Sequence, residues 1–274
     1  MTGMAARRTL VRIAGTAALA CVTACTSADG STGGSTDDGG PSTQALRSVE
    51  RATGRAGSAR VESTTVMGRE LSLDAVGTLG WRDGLTGTLT ITYTGGTTAE
   101  TMRRLGTTAM EARYLPDAYY ARMGDEFADR VGGRHWIKYV YADLEKLGDG
   151  DGDGDGNGEG TGAGFAEQMR NTTPHQAVKQ LLDSDDLREV GEETTRGRRT
   201  THWSGTVGGA TGQTVDIWVD DRDLLVKKVE RGRTGTGELT QTAYYSDYGV
   251  AVLAERPPAA DTADFTELLR GAGR

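Results

Sequence analysis

The sequence predicts an α+β fold: a strongly curved antiparallel sheet of about ten or eleven strands, a half-barrel, with helices packed in its concave face. Three observations carry this. Most of the chain after residue 58 alternates apolar and polar residues with period two, the pattern of half-buried strands. Asp-Gly, Gly-Gly and Pro-Asp pairs interrupt the alternation at short intervals, as in antiparallel meanders. Helical spacing appears in only three short places, and a sheet of that many strands must curl and be covered on one face.

The elements follow in order. Gln44–Ala56 is a first helix, with its cap in Pro41-Ser42-Thr43 and Ala45, Val49 and Ala52 on one stripe. Ala59–Met67 is a strand. Leu71, Leu73, Ala75, Gly77 and Leu79 then alternate with Ser72, Asp74, Val76 and Thr78, and Leu89, Ile91 and Tyr93 alternate with Thr88, Thr90 and Thr92. Further strands are expected at Thr107–Leu115, Ala118–Met123 and His135–Tyr141. Pro174–Asp183 is a helix capped by Thr173, with Val178, Leu181 and Leu182 as its apolar face. A second series of strands runs over Leu187–Thr194, Arg199–Val207, Gln213–Val219, Leu225–Arg231 and Leu239–Tyr248, with Asp220-Asp221-Arg222-Asp223 as a polar hairpin turn. Ala263–Arg270 closes as a short helix.

The N-terminus carries an export signal. Arg7, Arg8 and Arg12 precede a weakly apolar stretch, Leu10–Ala20, far shorter than the roughly 20 residues a spanning helix needs. Val22-Thr23-Ala24-Cys25 fits the pattern of a lipoprotein cleavage site: an aliphatic residue, two small residues, then the thiol that takes the lipid. Ala18-Leu19-Ala20-Cys21 fits less well, because Ala18 stands where a branched aliphatic is preferred. Arg7-Arg8 leaves the general and the twin-arginine export routes both open. The expected organisation is a signal peptide over residues 1–24, a Gly/Ser/Thr linker over 25–42, and one folded domain over 43–274 with an acidic insert at 148–164. Cleavage at Cys25 would leave one cysteine, occupied by lipid, so no disulfide is expected in the domain. Two or three acyl chains suffice for stable anchoring on the outer face of the cell membrane.

Charge and motifs narrow the function. The net charge is −8, and loss of the three N-terminal arginines makes the mature chain more acidic. Nucleic acid is therefore not an expected partner. In the Asp-Gly run, Asp149, Asp151, Asp153 and Gly154 match the start of a calcium loop, but position twelve is Gly160 where a bidentate glutamate is needed. It reads as an acidic loop, and no metal or cofactor is expected. His135, His175 and His202 lie on separate elements without metal-ligand spacing. No G-x-S-x-G, P-loop or dinucleotide glycine pattern occurs, so the chain does not read as an enzyme.

Tyrosines and tryptophans fall mostly on strands. Pairs such as Tyr119-Tyr120 and Tyr244-Tyr245 put rings on both faces of one strand. Val190-Gly191-Glu192-Glu193 followed by Gly197, Thr200, Thr201, His202 and Trp203, then Asp216-Ile217-Trp218-Val219-Asp220 with Leu224–Lys228, form a recognisable strand-pair and hairpin pattern. Tyr120 and Trp136-Ile137-Lys138 match its first half, and Thr173-Pro174 with Leu181-Leu182 its central helix. Over roughly residues 43–269 this pattern resembles the LppX/LprG-type lipoproteins of actinobacteria, members of the LolA/LolB-like half-barrels. The resemblance implies a curved sheet around helices, no catalytic residues, and an apolar cavity for the acyl chains of a lipid or glycolipid. The Gly- and Thr-rich composition and the acidic insert depart from that pattern. If the larger face of each strand points at the helices, the cavity is lined by Leu71, Leu73, Leu89, Ile91, Trp136 and Val219. The expected molecule is a monomer anchored through Cys25 that binds or carries a lipid. The alternative is an interaction or envelope-sensing module with a filled core.

Overall fold

The computed structural model describes residues 40–148, 173–208 and 212–272. Cys25, the linker up to residue 39 and the acidic run at 149–164 lie outside them.

Helix α1 (Pro41–Ala56) begins three residues before the expected Gln44. Proline suits the first helical turn, where an amide hydrogen would have no intrahelical partner. Pro41 and Ser42 thus belong to the helix and not to the linker. The helix stops at Gly57, whose φ of 74° is the left-handed conformation that favours glycine. The chain then meanders through β1 (Ser58–Met67), β2 (Leu71–Gly80) and β3 (Thr86–Gly95). Helix α2 (Gly96–Arg104) leads to β4 (Ala109–Leu115) and β5 (Ala118–Arg122). Helix α3 (Asp125–Arg130) precedes β6 (Trp136–Val140), and α4 (Tyr141–Gly148) follows it. Helix α5 (Pro174–Leu182) opens the second half: β7 (Arg188–Thr195), β8 (Arg198–Val207), β9 (Gln213–Asp220), β10 (Leu225–Thr234) and β11 (Gly237–Ser246). The chain ends in β12 (Thr262–Asp264) and α6 (Phe265–Ala272).

All twelve strands form one open sheet in the order β12-β6-β5-β4-β3-β2-β1-β11-β10-β9-β8-β7. The two meanders join where β1 pairs antiparallel with β11, Val61 opposite Tyr245. Two corrections to the expected pattern follow. Among the described residues there are twelve strands, and the last lies in the segment that read as the start of the closing helix; it pairs in parallel with β6, Ala263 opposite Ile137. Three residues are too few to display a period. The short helices α2, α3 and α4 add cover that periodicity did not reveal.

Alternation along β2 and β3 is as the sequence predicts. Leu71, Leu73, Ala75 and Leu79 are buried, while Val76 is 48% exposed on the other face. Curvature is built in at this pair. A Cβ on Gly77 would stand 2.0 Å from the Thr88 carbonyl oxygen, and one on Gly87 2.3 Å from that of Thr78. Only glycine allows backbones so close on the inner face, which is how sheets make barrel corners.

The segment after β11 crosses the outer face. Thr88 Oγ1 donates to the Leu253 carbonyl at 3.0 Å, and Arg113 to that of Glu255 at 2.9 Å. Arg256 Nη2 donates to both carboxylate oxygens of Asp117 at 2.9 Å, and its Nη1 donates to the Tyr120 hydroxyl. This strap delivers the chain to β12.

Candidate functional site

The inner face of the sheet is the candidate site. Leu71, Leu73, Leu89, Ile91 and Val219 are each at most 5% exposed. They share one apolar cluster with Leu46 and Val49 of α1 and Val178 and Leu181 of α5. Five of the six expected lining residues are thus brought together beneath the helices. Trp136 is not among them. It belongs to a separate cluster on the outer face with Leu115, Ala118 and Tyr120, over which Ala254 of the strap packs. The Arg113 guanidinium lies 4.5 Å from its ring centroid. Its neighbour Ile137 pairs with Ala121, which is in the main cluster. Because Trp136 and Ile137 are both large, turning the larger residue inward could not choose between them.

Aromatic rings fill the interior at the β4–β6 end. Ring centroids are 5.2 Å apart for Tyr114 and Tyr119, 5.7 Å for Tyr119 and Tyr139, and 4.7 Å for Tyr139 and Phe265. Burial raises the Tyr93 phenol to about 12 and lifts those of Tyr114, Tyr119 and Tyr139 well above their ordinary value, so all four stay neutral. Two open clefts lie at the rim. One of about 310 Å³ is formed by Gly57, Ser58, Trp81, Arg82, Asp83 and Val250 among others, and one of about 280 Å³ by Arg198, Arg199, Asp220, Asp221 and Arg222. None of the six expected lining residues borders either cleft.

The inner face of the second half holds a polar group that the sequence pattern did not reveal. Lys228 Nζ donates to Glu230 Oε1 at 2.8 Å, and the two residues are only 8% and 2% exposed. Beside them, Gln241 Nε2 donates to Thr65 Oγ1 at 3.2 Å, and both are buried. By simple alternation Val229 would face inward and its charged neighbours outward. The pairing of β10 with β9 shifts register between Leu225 and Lys227, however. A bulge of one residue reverses the faces downstream, because side chains alternate with period two.

The outer face is organised around His202. Its Nδ1 lies 2.9 Å from Glu193 Oε1 and its Nε2 2.9 Å from Asp216 Oδ1, so one imidazole bridges β7 and β9 from β8. The Trp218 ring stacks on it at 4.2 Å, donates from Nε1 to Glu193 Oε2 at 2.9 Å, and has Lys227 Nζ 3.8 Å from its centroid. Arg231 pairs with Asp216 at 2.6 Å. The Trp218 and His202 hydrogen bonds hold the Glu193 carboxyl below its ordinary value. Burial pushes the Asp216 carboxyl up, but hydrogen bonds from His202 and Ser204 outweigh it and the net shift is downward. Among the described residues, no group of three or more His, Cys, Asp or Glu is placed to hold a metal, and no helix is long and apolar enough to cross a membrane.

No family model matches the chain. A candidate lipoprotein of Streptomyces coelicolor is 74% identical across the full length of both chains. Solved structures to which the chain is similar include LprF of Mycobacterium bovis, at 16% identity and a TM-score of 0.47 over 80% of this chain and 97% of that one. They also include the lipoprotein LppX of Mycobacterium tuberculosis, at 15% identity and a TM-score of 0.49 over 78% and 98%.

Proposed function

We propose that this chain, which belongs to the family of the Streptomyces coelicolor candidate lipoprotein, is a lipid-anchored envelope protein whose half-barrel takes up acyl chains. It is exported, cleaved before Cys25, and held on the outer face of the cell membrane by acyl groups on that cysteine. The linker lets the domain stand off the surface.

The observation that carries the acyl-binding part is the apolar inner face under narrow cover. Leu71, Leu73, Leu89, Ile91 and Val219 come from three strands, and α1 and α5 bury between them only Leu46, Val49, Pro174, Ala177, Val178 and Leu181 as apolar residues. Separation of the helix pair from the sheet would offer that face to a hydrocarbon chain. Each methylene removed from water contributes roughly 0.8 kcal/mol, so an acyl chain of ordinary length outweighs most polar contacts. A second reading, an interaction module with a permanently filled core, draws on the ring packing of Tyr114, Tyr119, Tyr139 and Phe265.

Native mass spectrometry of protein extracted from membranes separates the two. A non-covalent lipid adduct, in addition to the covalent anchor, supports acyl binding; its consistent absence supports the filled core. The anchor is tested independently by Cys25→Ala, which should release the chain from the membrane fraction. Persistent membrane association of that variant would overturn the anchor.

A further inference from the structure

The inner face is apolar in one half and carries buried charge in the other, and this difference bears on which lipid is taken. Strands β10, β11 and β1 are adjacent. Across them run Glu230, Gln241 and Thr65 in one register row, with Lys228, Ala243 and Ser63 in the next. A buried ion pair is a poor device for stability, because desolvating two charges offsets their attraction, and apolar residues of similar volume commonly serve as well. Yet Lys228 and Glu230 stand opposite Ile217 and Val215, where apolar packing was available. Ala243, Ser63 and Ala75 are the small residues at adjacent positions of β11, β1 and β2. Ser63 faces inward between buried Val61 and Thr65 and still keeps partial solvent contact.

We infer that Lys228, Glu230, Gln241, Thr65 and Ser63 form a polar subsite on the inner face, which receives the uncharged, hydrogen-bonding end of an acyl lipid. This rests on the acyl-binding reading above. Ligand pockets are commonly apolar with a few placed polar groups that fix orientation. Here the set offers donors and acceptors but no net charge. An ester carbonyl can accept from Lys228 or Gln241, and a hydroxyl group can in addition donate to Glu230 or Ser63. A carboxylate would compete with Glu230 for Lys228, and a quaternary ammonium with Lys228 for Glu230, so that in either case one buried charge loses its partner. The subsite therefore selects by charge while the apolar half holds the chain, which extends towards Leu73, Leu89 and Ile91.

The test compares three probes with the same twelve-carbon chain: glycerol monolaurate, laurate and dodecyltrimethylammonium. The protein is the full chain carrying Cys25→Ala, so that no covalent acyl group competes. Glycerol monolaurate should bind at least about tenfold more tightly than either charged probe, a difference that two unmatched hydrogen bonds readily produce. The double variant Lys228→Met/Glu230→Leu keeps the volume and removes the hydrogen-bonding partners of the uncharged end, and its affinity for glycerol monolaurate should fall about tenfold. The single variants should shift preference in opposite directions: Glu230→Gln towards laurate and Lys228→Met towards dodecyltrimethylammonium, an effect that a purely structural role would not produce. Equal binding of all three probes by the unsubstituted chain, or undiminished glycerol monolaurate affinity in the double variant, overturns the subsite and leaves acyl binding standing. Binding of none of the three overturns both.

Discussion

The two halves of the inner face use the same strand alternation to different ends. In β2, β3 and β4 every other residue is apolar and buried, as with Leu71, Leu73, Leu89, Ile91 and Met110. In β10 and β11 the corresponding positions include Lys228, Glu230 and Gln241, equally buried but bonded to partners on the same or a neighbouring strand. Burial by itself therefore does not identify an apolar wall. What distinguishes the halves is whether a polar atom arriving there finds a partner, because an unmatched one is costly in either place.

The sharpest break of this comparison is a charge in the apolar half. Ile91→Asp puts a carboxylate among Ala75, Met110 and Tyr93 with no designed partner, and should destabilise the domain by more than about 4 kcal/mol in urea unfolding. If the variant stays folded and loses only lipid binding, that wall hydrates when empty and the acyl-binding reading gains. In the polar half, Lys228→Met removes the 2.8 Å partner of Glu230 and should cost about 3 kcal/mol. Lys228→Met/Glu230→Leu should lie within about 1 kcal/mol of the unsubstituted chain or exceed its stability. A double variant no better than the single would mean that the two halves do not differ in the way described.

On the outer face, His202→Ala removes the bridge between Glu193 and Asp216 and should cost about 1–2 kcal/mol, at the low end because Glu193 is about half exposed. The effect has a defined pH sense. Both carboxyls titrate below their ordinary values in the folded protein. Their contribution is present above about pH 4, the ordinary carboxylate range, and is lost as pH falls through the folded values. With the imidazole gone, acid unfolding followed by circular dichroism should begin at a higher pH. Smallest of all, Val76→Thr on the exposed side of β2 should change stability by no more than about 0.5 kcal/mol. A larger loss would show that this face is covered in the intact protein.

Much of this was legible in the chain itself. The period-two runs of β2, β3 and β9 group the residues that share a face, because alternation is a property of the strand backbone and needs no tertiary information. Thr173-Pro174 starts α5, and the Asp220–Asp223 run makes the β9–β10 turn, where Asp220 Oδ1 accepts the amides of Arg222 and Leu224 at 3.0 Å. Tyr119 and Tyr120 do face opposite sides, one in the main cluster and one beneath the strap.

Only the tertiary structure decided how those faces add up. Alternation states which residues of a strand share a side, but not which side that is. Each loop or bulge resets the phase, as at Leu225 and Lys227, and so Lys228 and Glu230 turn inward against their residue type. Trp136 turns outward because residues 118 positions later in the chain supply its cover, in Ala254 and the strap that holds it. The parallel β12 exists because that strap brings Thr262–Asp264 alongside β6. The chain's local chemistry determined most of the strands and which of their residues share a face; contacts between segments far apart in sequence determined which of those faces became the interior.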